Sequence, residues 1–263
     1  MSFEHNLAII IFSHIRSNYL FITMDSLFRN KHIEKYPVFV SVDGNAKSDE
    51  MRDIINYFPV NGYFIRENPI GSAQAYGRGI QALCDLGYDY VMFIEEDELI
   101  KSTMLDWVQS HDIDTILSEH IFINFSYDGG ERAISHYRGH VSIVKATNFN
   151  NIYSYCINKE YIGKPTAAAG RILNEYAVED GMFSSYIRYN NLTEWTAGDI
   201  YCAHIGIRGT TNKKLSPEAE RLETYLFSGP REKWLLNAAS LFHHDFVDPI
   251  LVSRLIPKGF VYE

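Results

Sequence analysis

An α/β fold with a mostly parallel central sheet flanked by helices is the architecture this sequence predicts, on three observations. Residues 7–12, 38–42 and 90–94 are apolar runs of strand length, rich in β-branched and aromatic side chains, as suits strands covered on both faces. Helical patterns alternate with them, and a strand–helix–strand order implies right-handed crossovers between parallel strands. Polar residues of ligand type follow each strand: Ser13 and Arg16, then Asp43, then Arg66 and Asn68, then Glu95 and Asp97. Ligands of open α/β sheets bind outside the carboxyl ends of the strands, so four such ends in succession describe a nucleotide site.

Taken in order, the strand over 7–12 leads to a helix over 19–29 that Ser17 or Asn18 can cap. The strand over 38–42 ends in Asp43-Gly44-Asn45. A short helix over 48–58 buries Met51, Ile54 and Ile55, and 62–65 forms a third strand. A loop from Arg66 then turns helical and runs to about Leu86, where Gly87 stops it. Beyond Glu98 the pattern is less regular. Helices are expected over 102–110, 159–162, 166–176, 178–187 and 231–243, with another opened by Ser216-Pro217. Strands are expected over 121–125, 140–144, 153–157 and 200–206, with a turn at 128–130 and a polar loop at 148–151.

The 263 residues, 46% hydrophobic and 14% aromatic, suffice for a sizeable core. A net charge of −9 argues against nucleic acid as a partner and against attachment to anionic membrane by charge. Cys84, Cys156 and Cys202 are well apart without a CxxC pair, which reads as free thiols in a reducing, cytoplasmic compartment. The opening residues carry no basic stretch, and 7–12 is too short for a signal or a span, so no integral membrane segment is expected. Tyr76-Gly77-Arg78-Gly79 lacks both the GxGxxG pattern and a P-loop lysine, which argues against dinucleotide and P-loop sites.

The stretch Tyr90-Val91-Met92-Phe93-Ile94-Glu95-Glu96-Asp97-Glu98 carries the chemistry. Four carboxylates at the end of a buried strand are costly without a positive partner. A divalent cation carrying a phosphorylated ligand meets that need, since hard oxygen donors suit Mg²⁺ or Mn²⁺. A solvated acidic turn is the plainer alternative.

The order of these features resembles glycosyltransferases of the GT-A, or nucleotide-diphospho-sugar transferase, fold over roughly residues 6 to 207. Residues 9–13 with Arg16 are similar to that family's opening strand, 40–44 to its second strand with a base-binding Asp, 68–73 to its Asn/Gly loop, and 93–97 to its metal motif. Glu95 stands where the DxD pattern has Asp, and Glu-Glu-Asp is close to the Glu-Asp-Asp of N-acetylglucosaminyltransferase I. Val178-Glu179-Asp180 resembles the Glu-Asp pair of inverting family-2 enzymes, and His204 follows in the family's order.

The resemblance implies one domain over 1–263: a nucleotide-sugar half (1–100), an acceptor and catalytic half (101–210) and a helical C-terminal tail (211–263). It implies transfer of a sugar from a UDP-sugar, UDP-GlcNAc first, to a hydroxyl of a carbohydrate or glycan acceptor, with inversion. Asp97 and His204 would hold Mn²⁺ (or Mg²⁺). Asp180 would be the base and Glu179 its nearest rival. Ser13, Arg16, Asp43, Arg66, Asn68, Gly71, Glu95 and Glu96 would line the donor site. A nucleotidyltransferase, or a non-catalytic binding module of the same fold, remain the alternatives.

Overall fold

A computed structural model of the protein describes residues 4–44, 48–126, 130–135, 137, 139–165, 172–174, 179–206 and 217–242. The alternating half comprises β1 (Leu7–Ser13), α1 (Ser17–Phe28), β2 (Val38–Val42), α2 (Ser48–Ile55), β3 (Gly62–Ile65), α3 (Ser72–Asp85) and β4 (Tyr90–Glu95). After it come β5 (Glu98–Ile100), α4 (Met104–Ser110), α5 (Ile113–Glu119), β6 (Phe122–Asn124), β7 (Gly130–Ile134), β8 (Val141–Lys145) and α6 (Ala146–Ile157). The last elements are α7 (Glu179–Tyr189), β9 (Glu194–Gly198), β10 (Cys202–His204), α8 (Pro217–Leu226) and α9 (Trp234–Phe242).

The main sheet runs β3-β2-β1-β4-β8-β6-β9-β7. Its first four strands are parallel, as the crossovers require. The switch falls at β8, antiparallel to β4 and β6, after which β9 lies parallel to β6 and antiparallel to β7. Alternation builds two apolar layers from single strands. Leu7, Ile9 and Ile11 of β1, with Met92 and Ile94 of β4, join the layer under α1 and α9. Ala8, Ile10 and Phe12, with Val91 and Phe93, join the layer under α3, α6 and α7. Every residue of β1 is buried, as a strand between two parallel neighbours should be.

Some expectations are corrected. No side chain caps α1: its cap position is Arg16, which is engaged elsewhere. The polar loop at 148–151 and the strand at 153–157 are one helix, α6. Phe149, Ile152, Tyr155 and Cys156 are buried at helical spacing, which a short strand-like window hides. Residues 159–162 form turns rather than a helix. The helix expected at 166–176 falls mostly outside the described residues, and Ile172 bridges to Pro165. The turn at 128–130 and the cap Ser216 also lie largely outside them. Sequence reading missed β5, β7, β9 and α5, all short or polar. Among the described residues, no helix is long and apolar enough to cross a membrane, and the three cysteines are free.

Candidate active site at the carboxyl end of β4

The chain leaves β4 at Glu95 and turns through Glu96 and Asp97 into β5. Helix α1 holds this turn with a buried polar stripe at helical spacing. Thr23 Oγ1 donates to the Glu96 carbonyl (2.6 Å) and accepts from Glu98 N (3.0 Å), while Ser26 Oγ accepts from Ile100 N (3.0 Å). These bonds satisfy backbone groups that β5 would otherwise bury unpaired. Glu96 lines a cavity shared with Glu95 and Glu179 and is also held in place: its carboxylate accepts from Ser13 Oγ, from His14 N (2.8 Å) and from Arg16 Nε (2.5 Å). Glu96, Ser13 and Arg16, expected on the donor, hold one another and together form part of the cavity wall.

Asp97 differs. It is 1% exposed, and its Oδ2 receives Arg16 Nη1 at 2.7 Å and His204 Nε2 at 3.0 Å. Its Oδ1 is buried without a hydrogen-bond partner among the described residues. Burial alone would raise this carboxyl's pKa, but the His204 hydrogen bond and the Arg16 charge hold it below the usual carboxylate range. Gly206 packs so closely that a Cβ there would overlap the Asp97 carboxylate and come within 2.8 Å of the His204 ring.

Two residues not chosen from sequence join them. Antiparallel pairing sets His204 of β10 directly opposite Glu98 of β5. His140 Nδ1 donates to Glu98 Oε1 at 2.7 Å, and the His140 and His204 rings lie 5.0 Å apart. Burial would lower His140's pKa, but the bond and charge of Glu98 hold its proton up to about 10. Ligand atoms of Glu98, His140 and His204 lie within 4.8 Å of one another, as do those of Glu95, Asp97 and Glu98. Partnerless buried carboxylate oxygens fit a divalent cation, and the imidazoles fit it in their neutral form, so binding here would release the proton that Glu98 holds on His140.

A second group has no imidazole: Glu95, Glu179 and Asp180, again within 4.8 Å. Glu179 and Asp180 open α7, where carboxylates suit the helix dipole. Glu179 Oε2 is buried without a hydrogen-bond partner among the described residues. Burial, then the neighbouring Asp180 charge, push the Glu179 carboxyl up to about 7. Burial likewise raises Glu95 well above its ordinary value, with Glu179 and Asp180 adding to it. Asp180 lies against Gly139, where a Cβ would come within 2.5 Å of Oδ1 and where φ is +79°. Desolvation raises the Asp180 carboxyl, while His140 and His204 draw it down. Protein atoms crowd that carboxyl, yet the residue is exposed by surface area. The balance leaves the carboxyl raised above its ordinary value on a residue that solvent reaches.

Glu95 and Glu179 line a cavity of about 410 Å³ together with His14, Asp43, Gly71, Ser72 and Tyr76. Asp43, expected on the base or ribose, lines this cavity, and its carboxylate accepts from Ile70 N (3.0 Å) and Gly71 N (2.9 Å). It thus stands in for the side-chain cap that α3 lacks. Arg66 donates to Ser41 Oγ (3.1 Å) and lies over the Phe64 ring, and exposed Asn68 is not part of the cavity wall. His14, missed in sequence, donates from Nδ1 to the Asp43 carbonyl.

No protein-family model matches the chain, and no curated protein matches it in sequence. Solved structures do share its architecture, the α/β fold of nucleotide-diphospho-sugar transferases with a mostly parallel sheet. A cytidylyltransferase from Leptospira borgpetersenii superimposes with a TM-score of 0.52 at 14% identity, over 99% of this chain and 100% of the other. A mannosyltransferase from Pyrobaculum calidifontis, in complex with GDP-Man and Mn²⁺, gives a TM-score of 0.51 at 11% identity, over 90% of this chain and 74% of the other. At such identities the likeness shows the GT-A-like fold.

Proposed function

We propose that the protein is a metal-dependent inverting glycosyltransferase, moving a sugar from a nucleoside diphosphate sugar to an acceptor hydroxyl. The observation that carries this reading is Asp97: a buried carboxylate with a partnerless oxygen, beside His204 and at the carboxyl end of β4. The mannosyltransferase neighbour, solved with GDP-Man and Mn²⁺, lends support by analogy. A divalent cation held there would offset the charge that grows on the leaving diphosphate.

The chain's own groups do the rest. The cavity beside Asp43 and Tyr76 takes the nucleotide sugar, and Glu95 and Glu179 contact sugar hydroxyls from its wall. Asp180, exposed to solvent at the start of α7, accepts the proton of the incoming hydroxyl. One base and no covalent intermediate give inversion, unlike the two-carboxylate retaining route. UDP is the first nucleotide to try, with UDP-GlcNAc leading among sugars.

Thermal shift with a panel of nucleotides and nucleotide sugars plus Mn²⁺, followed by assay of donor hydrolysis, tests the proposal. Stabilisation should depend on Mn²⁺ and disappear in Asp97→Asn. Stabilisation by GDP or dTDP alone would replace the donor assignment. A need for NTP with release of pyrophosphate would make the protein a nucleotidyltransferase instead.

A further inference from the structure

We propose that the cation site is a nitrogen-rich centre in which Glu98, His140 and His204 are ligands beside Asp97, so that it takes Mn²⁺, Co²⁺ or Zn²⁺ in preference to Mg²⁺. This deepens the functional reading above and rests on it. The β5–β10 register sets Glu98 and His204 opposite one another, and directly opposed residues of an antiparallel ladder share a face. His140 arrives from the turn before β8, and the three ligand atoms fall within 4.8 Å of one another.

An ordinary Glu98–His140 ion pair does not account for this arrangement. Glu98 is 0% exposed, and while His140 satisfies Oε1, Oε2 is buried without a hydrogen bond of good geometry among the described residues, the weakly donating Cys202 thiol being its polar neighbour. Leaving such an oxygen unpaired costs about 1–3 kcal/mol, more when it is charged. Two pairs, Glu98 with His140 and Asp97 with His204, account for both imidazoles, 5.0 Å apart, but not for the second oxygen left on each buried carboxylate. The backbone shows the same investment. His140 has φ +70°, a left-handed conformation uncommon for residues other than Gly, although His, like Asn and Asp, adopts it more readily than most. It is held there from two sides. His140 N donates to Glu95 Oε1 (3.1 Å), the His140 carbonyl accepts from Glu95 N (3.2 Å), and Asn124 Nδ2 donates to the Gly139 carbonyl (2.8 Å). Strained backbone of this kind persists where surrounding structure fixes it, commonly at ligand sites.

Donor chemistry then selects the ion. Carboxylates and water suit Mg²⁺, whereas each imidazole tips a site toward first-row transition metals.

Pulsed electron paramagnetic resonance of the full-length protein loaded with Mn²⁺ reads the nitrogens directly. Two imidazole couplings are expected in the wild type and one in His140→Asn, where Asn tolerates the positive φ and is too short to reach. Calorimetry should find Mn²⁺ bound at least about tenfold more tightly than Mg²⁺. It should also find Mn²⁺ affinity in Glu98→Gln reduced by about 10- to 100-fold, since even outer-shell partners are worth that much. Melting curves establish that each variant is folded. A single coupling in the wild type, with affinity unchanged in His140→Asn and Glu98→Gln, overturns the proposal and leaves a cation on Asp97 standing. Absence of any Mn²⁺ binding, or binding indifferent to Asp97→Asn, overturns the functional reading as well.

Discussion

Two carboxylate groups flank Glu95, and they are equipped differently. On one side Asp97 and Glu98 each have an imidazole within hydrogen-bond reach, and Asp97 also has Arg16. On the other, Glu179 and Asp180 share the α7 terminus without an imidazole in their group. Asp97 is buried, yet pairing with His204 and Arg16 holds it below the usual carboxylate range, whereas burial raises Glu98 even with the His140 bond and charge opposing it. Crowded together without an imidazole, carboxyls are driven upward, and Glu179 reaches about 7. A group poised near neutrality can contact hydroxyls or trade a proton, and a solvent-facing neighbour such as Asp180 can receive one. The lesson is that adjacent acidic clusters of similar composition divide into a charge-holding and a proton-handling side through their partners.

The largest expected effect comes from breaking the proton-handling side. Asp180→Asn should lower single-turnover transfer by about 10² to 10⁴ while Mn²⁺ affinity stays unchanged, because the amide keeps the shape and loses the basic oxygen. Loss of Mn²⁺ binding in the same calorimetric titration would erase the distinction between the two groups. Next comes Gly206→Ala, on the charge-holding side. Its methyl group would overlap the Asp97 carboxylate and crowd His204. Overpacking of this kind costs about 1–3 kcal/mol, so the melting temperature should fall and Mn²⁺ affinity with it; an unchanged affinity would mean Asp97 has freedom to move. Smallest in function is Glu96→Gln. It should leave Mn²⁺ and nucleotide binding within about twofold of wild type yet lower stability by about 1–3 kcal/mol in denaturant unfolding, since it weakens bonds to Ser13, His14 and Arg16. A large loss of nucleotide binding there would return Glu96 to the donor.

The alternating half was legible in the sequence. The runs over 7–12, 38–42, 62–65 and 90–94 became β1 to β4 nearly as read, because continuous apolar strands and amphipathic helices are local patterns. Asp97 and the pair Glu179 and Asp180 stood out locally, as carboxylates that follow an apolar strand or open a helix, but the roles given to Asp180 and His204 came from the family resemblance alone. Other features were decided only by tertiary structure. Glu96 and Asp97 are chemically close neighbours, and nothing local says that Glu96 saturates itself on Ser13, His14 and Arg16 while Asp97 keeps a partnerless oxygen. Asp43 could not be known to cap the 70–71 turn, since its partners lie 27 and 28 residues away. His140 carried no motif at all. It reaches Glu98, 42 residues away, because β8 packs antiparallel to β4 and its preceding turn is forced left-handed. Local sequence determines where strands begin and which faces they bury, since those depend on a residue and its near neighbours. Which polar groups meet at their ends depends on sheet order and register, and these arise only when distant strands pair.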